Sequence, residues 1–285
     1  MKVLVFGAQG MLGKDLVPLL SKNHEVMGKD IADLNILEAQ KIHQAMEEYQ
    51  PQVVINAAAY TDVDGCETHP EKAFAVNAEG ARNIALGCRA FGAKMIHLST
   101  DYVFDGISPF PYQESDYPNP LNVYGASKLL GERYIQEILN NHLVIRTEWL
   151  YGQHGRNFVD NILKQARQKS KLQVVNDQRG APTFTKKLSW AIGLLLSKDE
   201  TGILHVTSLG SCTWFEFAVR IMEIKKIDHI RVIPISSQKL NRSAKRPANS
   251  LLDCSRFEKI TGFKMVSWEE ALQEYLSSIA PEGNN

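Results

Sequence analysis

The sequence predicts an α/β fold, with a doubly wound parallel sheet up to about residue 150 and a smaller mixed α/β lobe after it. Two observations support this prediction. In the first part, short apolar runs alternate with longer amphipathic stretches, which is typical of buried parallel strands joined by crossover helices. Beyond Trp149 the alternation breaks, and strand-like runs mix with helices and a polar loop at 236–247.

The elements of the first part can be read in order. Strands are predicted at 3–6, 25–27, 53–56, 95–98 and 143–146, and helices at 12–20, 37–49, 71–91 and 124–139. Strands and helices in this order require right-handed crossovers. In such a sheet the ligand crevice lies at the carboxyl ends of the strands.

The composition is that of an ordinary globular protein without a strong net charge. The chain has 285 residues, of which 44% are hydrophobic, enough for one large domain or two modest ones. Lys plus Arg and Asp plus Glu number 32 each, so the overall charge attracts neither nucleic acid nor an anionic membrane surface. We therefore expect a small-molecule ligand, no nucleic acid and no membrane partner.

The cysteines and the amino-terminal pattern bear on location. The four cysteines are far apart and form no CxxC pair, which argues against a zinc knuckle and a disulfide framework. The amino terminus reads as a strand entering a glycine turn, without a cleavable pattern, and no apolar run approaches membrane-spanning length. We expect a cytoplasmic protein with reduced thiols. The cysteines are Cys66, Cys88, Cys212 and Cys254.

A glycine loop follows the first strand and opens the first helix. Gly7 permits a tight turn, Gly10 lets backbone amides approach phosphate groups, and Gly13 lets helix and strand pack closely. The helix amino terminus then presents free N–H groups and the positive end of its dipole to a pyrophosphate. In this context the loop predicts a Rossmann-type dinucleotide site, and a turn without a ligand is the alternative.

Asp30 follows the second strand, where an acidic residue accepts the hydroxyls of the adenosine ribose. A carboxylate favours NADH because it repels a 2′-phosphate, but the adjacent Lys29 can pair with that phosphate, so NADH and NADPH both stay open. A turn aspartate without a ligand is the alternative interpretation. Residues 56–59, Asn-Ala-Ala-Ala, end the third strand with small side chains, as a closely approaching cofactor requires.

Tyr124 and Lys128 open a predicted helix after a proline-rich loop, and their spacing of four places both on one helix face. Thr100 ends the fourth predicted strand, at the edge where the crevice is expected. The three side chains can therefore converge on one ketone. The alternative is a surface Tyr and Lys on an amphipathic helix.

These residue types suit the reduction of a carbonyl. Hydride addition leaves negative charge on oxygen, and a positioned acid must supply a proton. Lowering the pKa of a phenol from about 10 to about 7 requires roughly 4 kcal/mol. One ammonium about 4 Å away supplies on the order of 4 kcal/mol at an effective dielectric near 20. Lys128 is thus suited to activate Tyr124, against the effect of burial, while Thr100 holds the substrate oxygen.

The second part of the chain has fewer clear signals. Strands are predicted at 172–175 and 203–206, and two pairs fit the capping-box spacing of helix starts: Thr213 with Glu216, and Ser267 with Glu270. We expect residues 1–150 to form a dinucleotide-binding domain and 151–285 to form mainly a substrate-binding lobe. Exchange of later segments into the first domain stays open.

At these residues the sequence resembles the extended short-chain dehydrogenase/reductases, and within them the dTDP-4-dehydrorhamnose reductase family. The glycine loop and the Tyr-Lys motif are shared by the whole superfamily. The more specific motifs are Ser-Thr-Asp-Tyr-Val-Phe-Asp-Gly at 99–106, Asp-Gln-Arg-Gly-Ala-Pro-Thr at 177–183 and Arg-Pro at 246–247, with further matches at 56–64, 120–128 and 146–149. The resemblance covers nearly the whole chain.

The resemblance implies reduction of the 4-keto group of dTDP-4-dehydro-L-rhamnose by NADPH or NADH, for cell-surface polysaccharide. It implies cofactor contacts at Gly10, Met11, Leu12, Asp30, Asp33, Leu34, Ala59, Tyr60, Thr61, Tyr124 and Lys128. It implies sugar contacts at Thr100, Asp101 and Trp149, and a diphosphate contact at Arg246. A core aromatic is the alternative for Trp149, and a surface salt bridge for Arg246.

Several family properties stay open. Some members are described with Mg²⁺ at a carboxylate-lined dimer contact, and no carboxylate of this sequence can be assigned to it, so we predict no metal ligand and leave Mg²⁺ and a homodimer open. A 4,6-dehydratase usually has Asp-Glu directly after the Thr, whereas Tyr102 follows Asp101 here. An epimerase needs a Cys and His pair near Thr100, which is missing. A non-catalytic NADP-binding regulatory subunit is the rival from another class.

Overall fold

Six parallel strands form the central sheet of the protein, of which the computed structural model describes residues 1–279. In chain order the strands are β1 (Lys2–Phe6), β2 (Glu25–Lys29), β3 (Val53–Asn56), β4 (Lys94–Thr100), β5 (His142–Thr147), β6 (Leu150–Tyr151), β7 (Lys171–Val175), β8 (Arg179–Gly180), β9 (Thr183–Phe184), β10 (Gly202–His205), β11 (Cys212–Thr213) and β12 (Arg231–Ile235). The central sheet has the order β10-β5-β4-β3-β1-β2, with every neighbouring pair parallel. This confirms the predicted doubly wound parallel sheet and its first five strands.

Helices cover both faces of this sheet. In chain order they are α1 (Met11–Leu20), α2 (Ala39–Tyr49), α3 (Val63–Thr68), α4 (Pro70–Phe74), α5 (Gly80–Phe91), α6 (Val123–Ile138), α7 (Phe158–Ala166), α8 (Thr185–Leu196), α9 (Trp214–Ile224), α10 (Ser255–Thr261) and α11 (Trp268–Ser278). Successive residues of β1 enter opposite cores: Val3 and Val5 pack on the side of α1 and α8, and Leu4 and Phe6 on the side of α2 and α5. The strands are therefore apolar on both faces.

The helix predicted at 71–91 contains a π-helical turn. Residues Ala75–Glu79 form this turn, between α4 and α5. It packs against α6 so closely that a Cβ on Gly131 would lie 2.3 Å from the Asn77 carbonyl oxygen. Such turns widen a helix locally and recur at functional sites. The other three predicted helices of the first part correspond to α1, α2 and α6.

The second part of the chain contributes to both regions of the fold. The strand expected at 203–206 is β10, which pairs with β5 at the edge of the central sheet. The strand expected at 172–175 is β7, which pairs in parallel with β12 outside that sheet. Within 236–247, Ser237–Lys239 form a 3-10 turn. A domain boundary near residue 150 stays a prediction.

The smaller lobe has a core of its own, in which Tyr151 packs against Phe184, Phe217 and Tyr275. Both predicted capping boxes are confirmed, at the starts of α9 and α11. All four cysteines are buried and free, as expected.

A buried ion pair ties α6 to two strands. Glu132, on α6, accepts hydrogen bonds from Arg146 of β5, at 3.0 Å from Nε and 2.6 Å from Nη2. Ser99, on β4, donates its hydroxyl to the same carboxylate at 2.5 Å. Both charged side chains are 1% exposed, so loss of one would leave the other buried without compensation.

We expect Glu132→Ala to lower the free energy of unfolding by about 3–5 kcal/mol, because the Arg146 charge would stay buried without its carboxylate. Glu137→Ala is the matched control, since Glu137 is exposed on the same helix, and should change it by less than about 0.5 kcal/mol. Urea denaturation followed by circular dichroism measures both. Equal stability of the two variants would contradict a structural role for the pair.

Candidate active site

The glycine loop lies between β1 and α1, against the carboxyl end of β3. Gly7 has a φ of +79°, and a Cβ there would lie 2.6 Å from Ala58 N. A Cβ on Gly13 would lie 2.2 Å from Gly7 O. Gly10 begins α1 without a side-chain cap, so the N–H groups of the first turn remain available to an anion. The loop therefore keeps a cradle open that larger side chains would fill.

A cavity of about 320 Å³ lies beside this loop. It is lined by Phe6, Gly7, Gln9, Gly10, Lys29, Asp30, Ile31, Leu34, Asn35, Ile36, Ala57, Ala58, Ala59 and Val76. Five residues predicted for the cofactor are among them: Gly7, Gly10, Asp30, Leu34 and Ala59. The cavity joins the glycine loop to the end of β2, as a dinucleotide site requires.

The Asp30 carboxylate faces the glycine loop. Its Oδ2 accepts a hydrogen bond from Gln9 N at 2.9 Å, and its Oδ1 accepts one from Ile31 N at 2.8 Å. Asp33 accepts a hydrogen bond from Asp30 N at 3.1 Å, so its carboxylate stabilises this turn. Lys29 lines the same cavity, so a cation and an anion lie side by side at the position expected for a ribose.

The segment Ala59–Thr61 is held by a side chain of the π-helical turn. Asn77 Oδ1 accepts a hydrogen bond from Tyr60 N at 2.8 Å, and Asn77 Nδ2 donates to Tyr60 O at 3.1 Å. The same amide donates to Ser127 Oγ, on α6, at 3.0 Å. Asn77 thus couples a predicted cofactor segment to the helix that carries Tyr124 and Lys128. Met11 and Leu12 lie in the first turn of α1, with Leu12 buried in the core.

Thr100 and Tyr124 are brought together by a close approach of α6 to the end of β4. A Cβ on Gly125 would lie 2.1 Å from Tyr102 O. Asn122 caps α6 by accepting a hydrogen bond from Gly125 N at 2.8 Å. Thr100 is 5% exposed, and its hydroxyl acts on the Tyr124 phenol as a hydrogen-bond partner. The two predicted catalytic hydroxyls are therefore neighbours.

Lys128 is 2% exposed and follows Tyr124 by one helical turn on α6. Its Nζ donates to Leu98 O at 2.5 Å and lies 3.3 Å from His97 Nε2. Burial lowers the pKa of Lys128 to about 8, against the nearby Glu132 carboxylate, which raises it. Burial, with a smaller contribution from Lys128, lowers the pKa of His97 well below its usual value. His97 is therefore neutral beside the lysine.

The Tyr124 phenol is protonated at neutral pH. Burial raises its pKa above the usual value, the hydrogen bond with Thr100 lowers it, and the Asp101 carboxyl raises it. The spacing in the sequence predicts that Lys128 lowers this pKa; in the structure burial has the largest effect and raises it, while the Lys128 ammonium donates to Leu98 O. Tyr124 is thus a proton donor, which is the role that a reduction requires.

Trp149 has an unusual backbone. Its φ is +47°, in the left-handed region that non-glycine residues rarely adopt. Its ring stacks on Trp214 with centroids 3.5 Å apart and planes 8° apart. Gly180 makes room for it, because a Cβ there would lie 2.5 Å from the indole. Strained residues of this kind cluster at ligand sites, and the sugar contact of Trp149 stays a prediction.

A second cavity, of about 690 Å³, lies between α7, α9 and the polar loop. Its lining includes the aromatic side chains of Phe158 and Trp214 and the cations Arg242, Lys245 and Arg246. Three cations at one cavity of a protein with no net charge supply the local field that an anionic ligand needs.

Arg246 forms a salt bridge and lines the second cavity, and its contact with a diphosphate stays a prediction. Its guanidinium pairs with Asp64 in a bidentate manner, with Nη1–Oδ1 and Nη2–Oδ2 distances of 3.2 and 2.7 Å. This contact lowers the pKa of Asp64 to about 2. The same side chain lines the second cavity, so the ion pair holds it in place there.

Four residues of the site received no individual role from the sequence: Asn77, His97, Glu148 and Trp214. A buried asparagine is a poor helix former inside a predicted helix, which was a signal for Asn77. Trp214 follows the capping residue Thr213 directly. His97 lies in the middle of the buried strand β4 and Glu148 directly follows β5, and only the fold brings them to Lys128 and Asp101.

The described residues contain neither a metal-binding cluster nor a membrane-spanning helix. Within residues 1–279 there is no cluster of three or more His, Cys, Asp or Glu side chains suited to a metal ion. The helices in this range include none with the length and apolarity to cross a bilayer.

A glycine cradle at the end of β1, an acidic residue after β2, and a Thr-Tyr-Lys set at the end of β4 define an extended short-chain dehydrogenase/reductase. The family model described as RmlD substrate binding domain matches residues 1–280. A dTDP-4-dehydrorhamnose reductase of Streptomyces griseus is 40% identical over 278 residues, covering 95% of this chain and 91% of that protein. The chain belongs to the dTDP-4-dehydrorhamnose reductase family, as the sequence resemblance indicated.

Other proteins are similar to this chain over nearly its whole length. A spore coat polysaccharide biosynthesis protein of Bacillus subtilis (strain 168) is 41% identical over 276 residues, 96% of each chain. A solved dTDP-4-dehydrorhamnose reductase of Bacillus anthracis, in complex with NADP, has a TM-score of 0.94 and 37% identity, covering 97% of this chain and 98% of that one. A UDP-glucose 4-epimerase of Thermus thermophilus, 19% identical with a TM-score of 0.86, shares the fold.

We expect Asp30→Asn to raise the affinity for NADPH relative to NADH by about three- to tenfold, because it removes a negative charge beside the adenosine ribose. Lys29→Met is the matched change of opposite sign and should lower this ratio. Fluorescence titration of each reduced cofactor gives the dissociation constants. An unchanged ratio in both variants would place the ribose elsewhere.

Proposed function

We propose that this protein reduces the 4-keto group of dTDP-4-dehydro-L-rhamnose with NADPH or NADH, giving dTDP-L-rhamnose for cell-surface polysaccharide. The observation that carries this proposal is the contact of Thr100 with Tyr124, with Lys128 buried one helical turn further along α6, at the same edge of the sheet as the glycine cradle. Relatives of full length that are named as this reductase support the substrate.

The residues present fit a nicotinamide dinucleotide. Gly7 and Gly10, with the free N–H groups of α1, would hold the pyrophosphate, and Asp30 would hold the adenosine ribose. Leu34 and Ala59 would border the adenine half, and Lys128 would lie at the nicotinamide end. When bound, the cofactor supplies the hydride.

The chain's own residues perform the proton chemistry. The Tyr124 phenol donates its proton to the ketone oxygen as negative charge develops there. Thr100 binds the same oxygen through its hydroxyl and fixes its distance from Tyr124. Lys128, buried one helical turn after Tyr124, would place a positive charge on the side of α6 that carries the phenol, and it holds the end of β4 through the Leu98 carbonyl.

The nucleotide half of the substrate would occupy the second cavity. Arg242, Lys245 and Arg246 suit a diphosphate, and Phe158 and Trp214 offer aromatic faces to a flat base. Trp149 stacks on Trp214 and would contact the sugar between this cavity and Thr100. We infer a small-molecule substrate handled in the cytoplasm, and a homodimer stays a prediction.

Mixing purified protein with NADPH or NADH and the 4-keto sugar nucleotide tests the function. Loss of the reduced nicotinamide absorbance, with dTDP-L-rhamnose as product, is the expected result. Flat absorbance with normal cofactor binding would favour a regulatory, non-catalytic protein instead.

We expect Tyr124→Phe to lower kcat by about three orders of magnitude while the Kd for the cofactor changes by less than about threefold, because only the proton donor is removed. Tyr117→Phe is the control, since Tyr117 is 81% exposed. Stopped-flow absorbance and fluorescence titration measure the two constants. Near-normal turnover of Tyr124→Phe would remove Tyr124 from the mechanism.

A further inference from the structure

Two carboxyl groups lie buried behind Thr100 without a use in the mechanism above. Asp101 and Glu148 are each 2% exposed. Within residues 1–279, neither forms an ion pair, and Asp101 Oδ2 and Glu148 Oε1 have no hydrogen-bond partner. Each acid thus has one oxygen without a partner, and a buried carboxylate that is only partly hydrogen-bonded is costly, whereas a protonated carboxyl tolerates such a place far better.

Hydroxyl groups connect these acids to the phenol. Thr100 Oγ1 lies 2.9 Å from Asp101 Oδ1 and faces Tyr124 on its other side. Ser250, 1% exposed, lies between the two acids: its hydroxyl is 3.4 Å from Glu148 Oε2 and also acts on the Asp101 carboxyl. Tyr124, Thr100, Asp101, Ser250 and Glu148 therefore form one buried row of exchangeable protons.

The hydrogen count along this row favours protonated acids. Ser250 has one hydroxyl hydrogen and can donate it to only one of its two carboxyl neighbours. The other carboxyl can form a hydrogen bond with Ser250 only if it is protonated and donates to the serine oxygen. Thr100 already accepts from Tyr102 N at 3.1 Å, which leaves it one further acceptor position and one hydrogen. It can thus accept from a protonated Asp101 and donate to Tyr124.

The surroundings point the same way. The titratable or charged side chains around the pair are Tyr102 and Tyr124 beside Asp101, Cys212 and Cys254 beside Glu148, and Arg242 and Arg246 beyond Tyr102. The pKa of Asp101 is raised by burial, and that of Glu148 by burial and then by the Asp101 charge. Arg246 is already paired with Asp64. The two acids therefore keep at least one proton at neutral pH.

We propose that Asp101, Ser250 and Glu148 form an internal proton reservoir that reprotonates Tyr124 through Thr100 after each reduction. This rests on the proposed function. The Tyr124 O–H bond breaks as the O–H bond of the new alcohol forms; the phenolate takes the hydroxyl proton of Thr100, and Thr100 takes a proton from Asp101. The Glu148 proton then reaches Asp101 through Ser250, and water restores the proton that was used.

The reservoir explains why Glu148 lies away from the reacting atoms and still bears on turnover. Ionisation of one acid makes ionisation of the other harder, so the wild-type pair keeps one proton well into alkaline pH. Glu148→Gln leaves Asp101 as the sole acid of the row. Asp101 then loses its proton as the pH rises through its pKa, and no carboxyl proton is left to reprotonate Tyr124. Glu148 is thus a positioning residue: it touches no reacting atom and acts by keeping Asp101 supplied with a proton.

The test is the pH profile of kcat for Glu148→Gln. We expect kcat within about threefold of wild type near pH 6 and lower by about tenfold or more at about pH 8.5, with KM values nearly unchanged. Ser250→Ala, which cuts the row between the acids, should give the same profile. Ser208→Ala is the matched control, because Ser208 is a buried serine, 3% exposed, outside the row, and it should keep the wild-type profile.

Two outcomes would overturn the proposal. A wild-type profile in both Glu148→Gln and Ser250→Ala shows that the row carries no needed proton. A loss of kcat equal at all pH values shows a structural role alone.

An infrared measurement tests the proton itself without turnover. At about pH 8 the wild type should show the C=O stretch of a protonated carboxylic acid, and Glu148→Gln should lose it. Absence of this band in the wild type would contradict the reservoir. Failure of the wild type to reduce any keto sugar nucleotide would instead contradict the proposed function, whatever the infrared result.

Discussion

A contact between two backbones sets the distance between α6 and the end of β4. Position 125 must lack a Cβ, since one would lie 2.1 Å from Tyr102 O. Tyr124 precedes this glycine and Thr100 precedes the turn that carries Tyr102, so the contact places the two hydroxyls together. The buried pair of Glu132 with Arg146 fixes the next turns of the same helix. The catalytic set is therefore built on rigid elements rather than on loops.

Burial, more than any single charge, decides the protonation of this site. It keeps Tyr124 protonated, lowers the pKa of Lys128 to about 8 and holds His97 neutral. It also raises the pKa of Asp101 and of Glu148, which favours at least one proton on this pair. A site with a protonated phenol and a proton on its carboxyl pair is suited to donate a proton to the oxygen of a carbonyl that is being reduced. Reduction, rather than oxidation, is the reaction that the proposed function requires.

Sequence patterns predicted what depends on neighbours along the chain. The strands, the glycine loop and the capping boxes at Thr213 and Ser267 are local features, and the structure contains all of them. The pairing of β10 with β5 could not be predicted, because the residues of a strand do not specify which strand it pairs with.

The electrostatics of the site were also only partly predictable. The effect of a lysine charge on the pKa of Tyr124 could be calculated for an assumed distance. The burial that raises this pKa depends on packing from β4, α6 and the segment around Ser250, which the sequence does not show. The approach of Glu148 to Asp101 joins residues 47 positions apart and has no local signal. Long-range contacts thus decide how strongly each group holds its proton.

The most direct test of the central claim is a crystal structure of Tyr124→Phe with bound cofactor and the 4-keto sugar nucleotide, since this variant should bind both without turnover. We expect the keto oxygen within hydrogen-bond distance of the Thr100 hydroxyl and next to the position vacated by the phenol oxygen. A keto oxygen turned away from both residues, with the sugar bound elsewhere, would contradict the account.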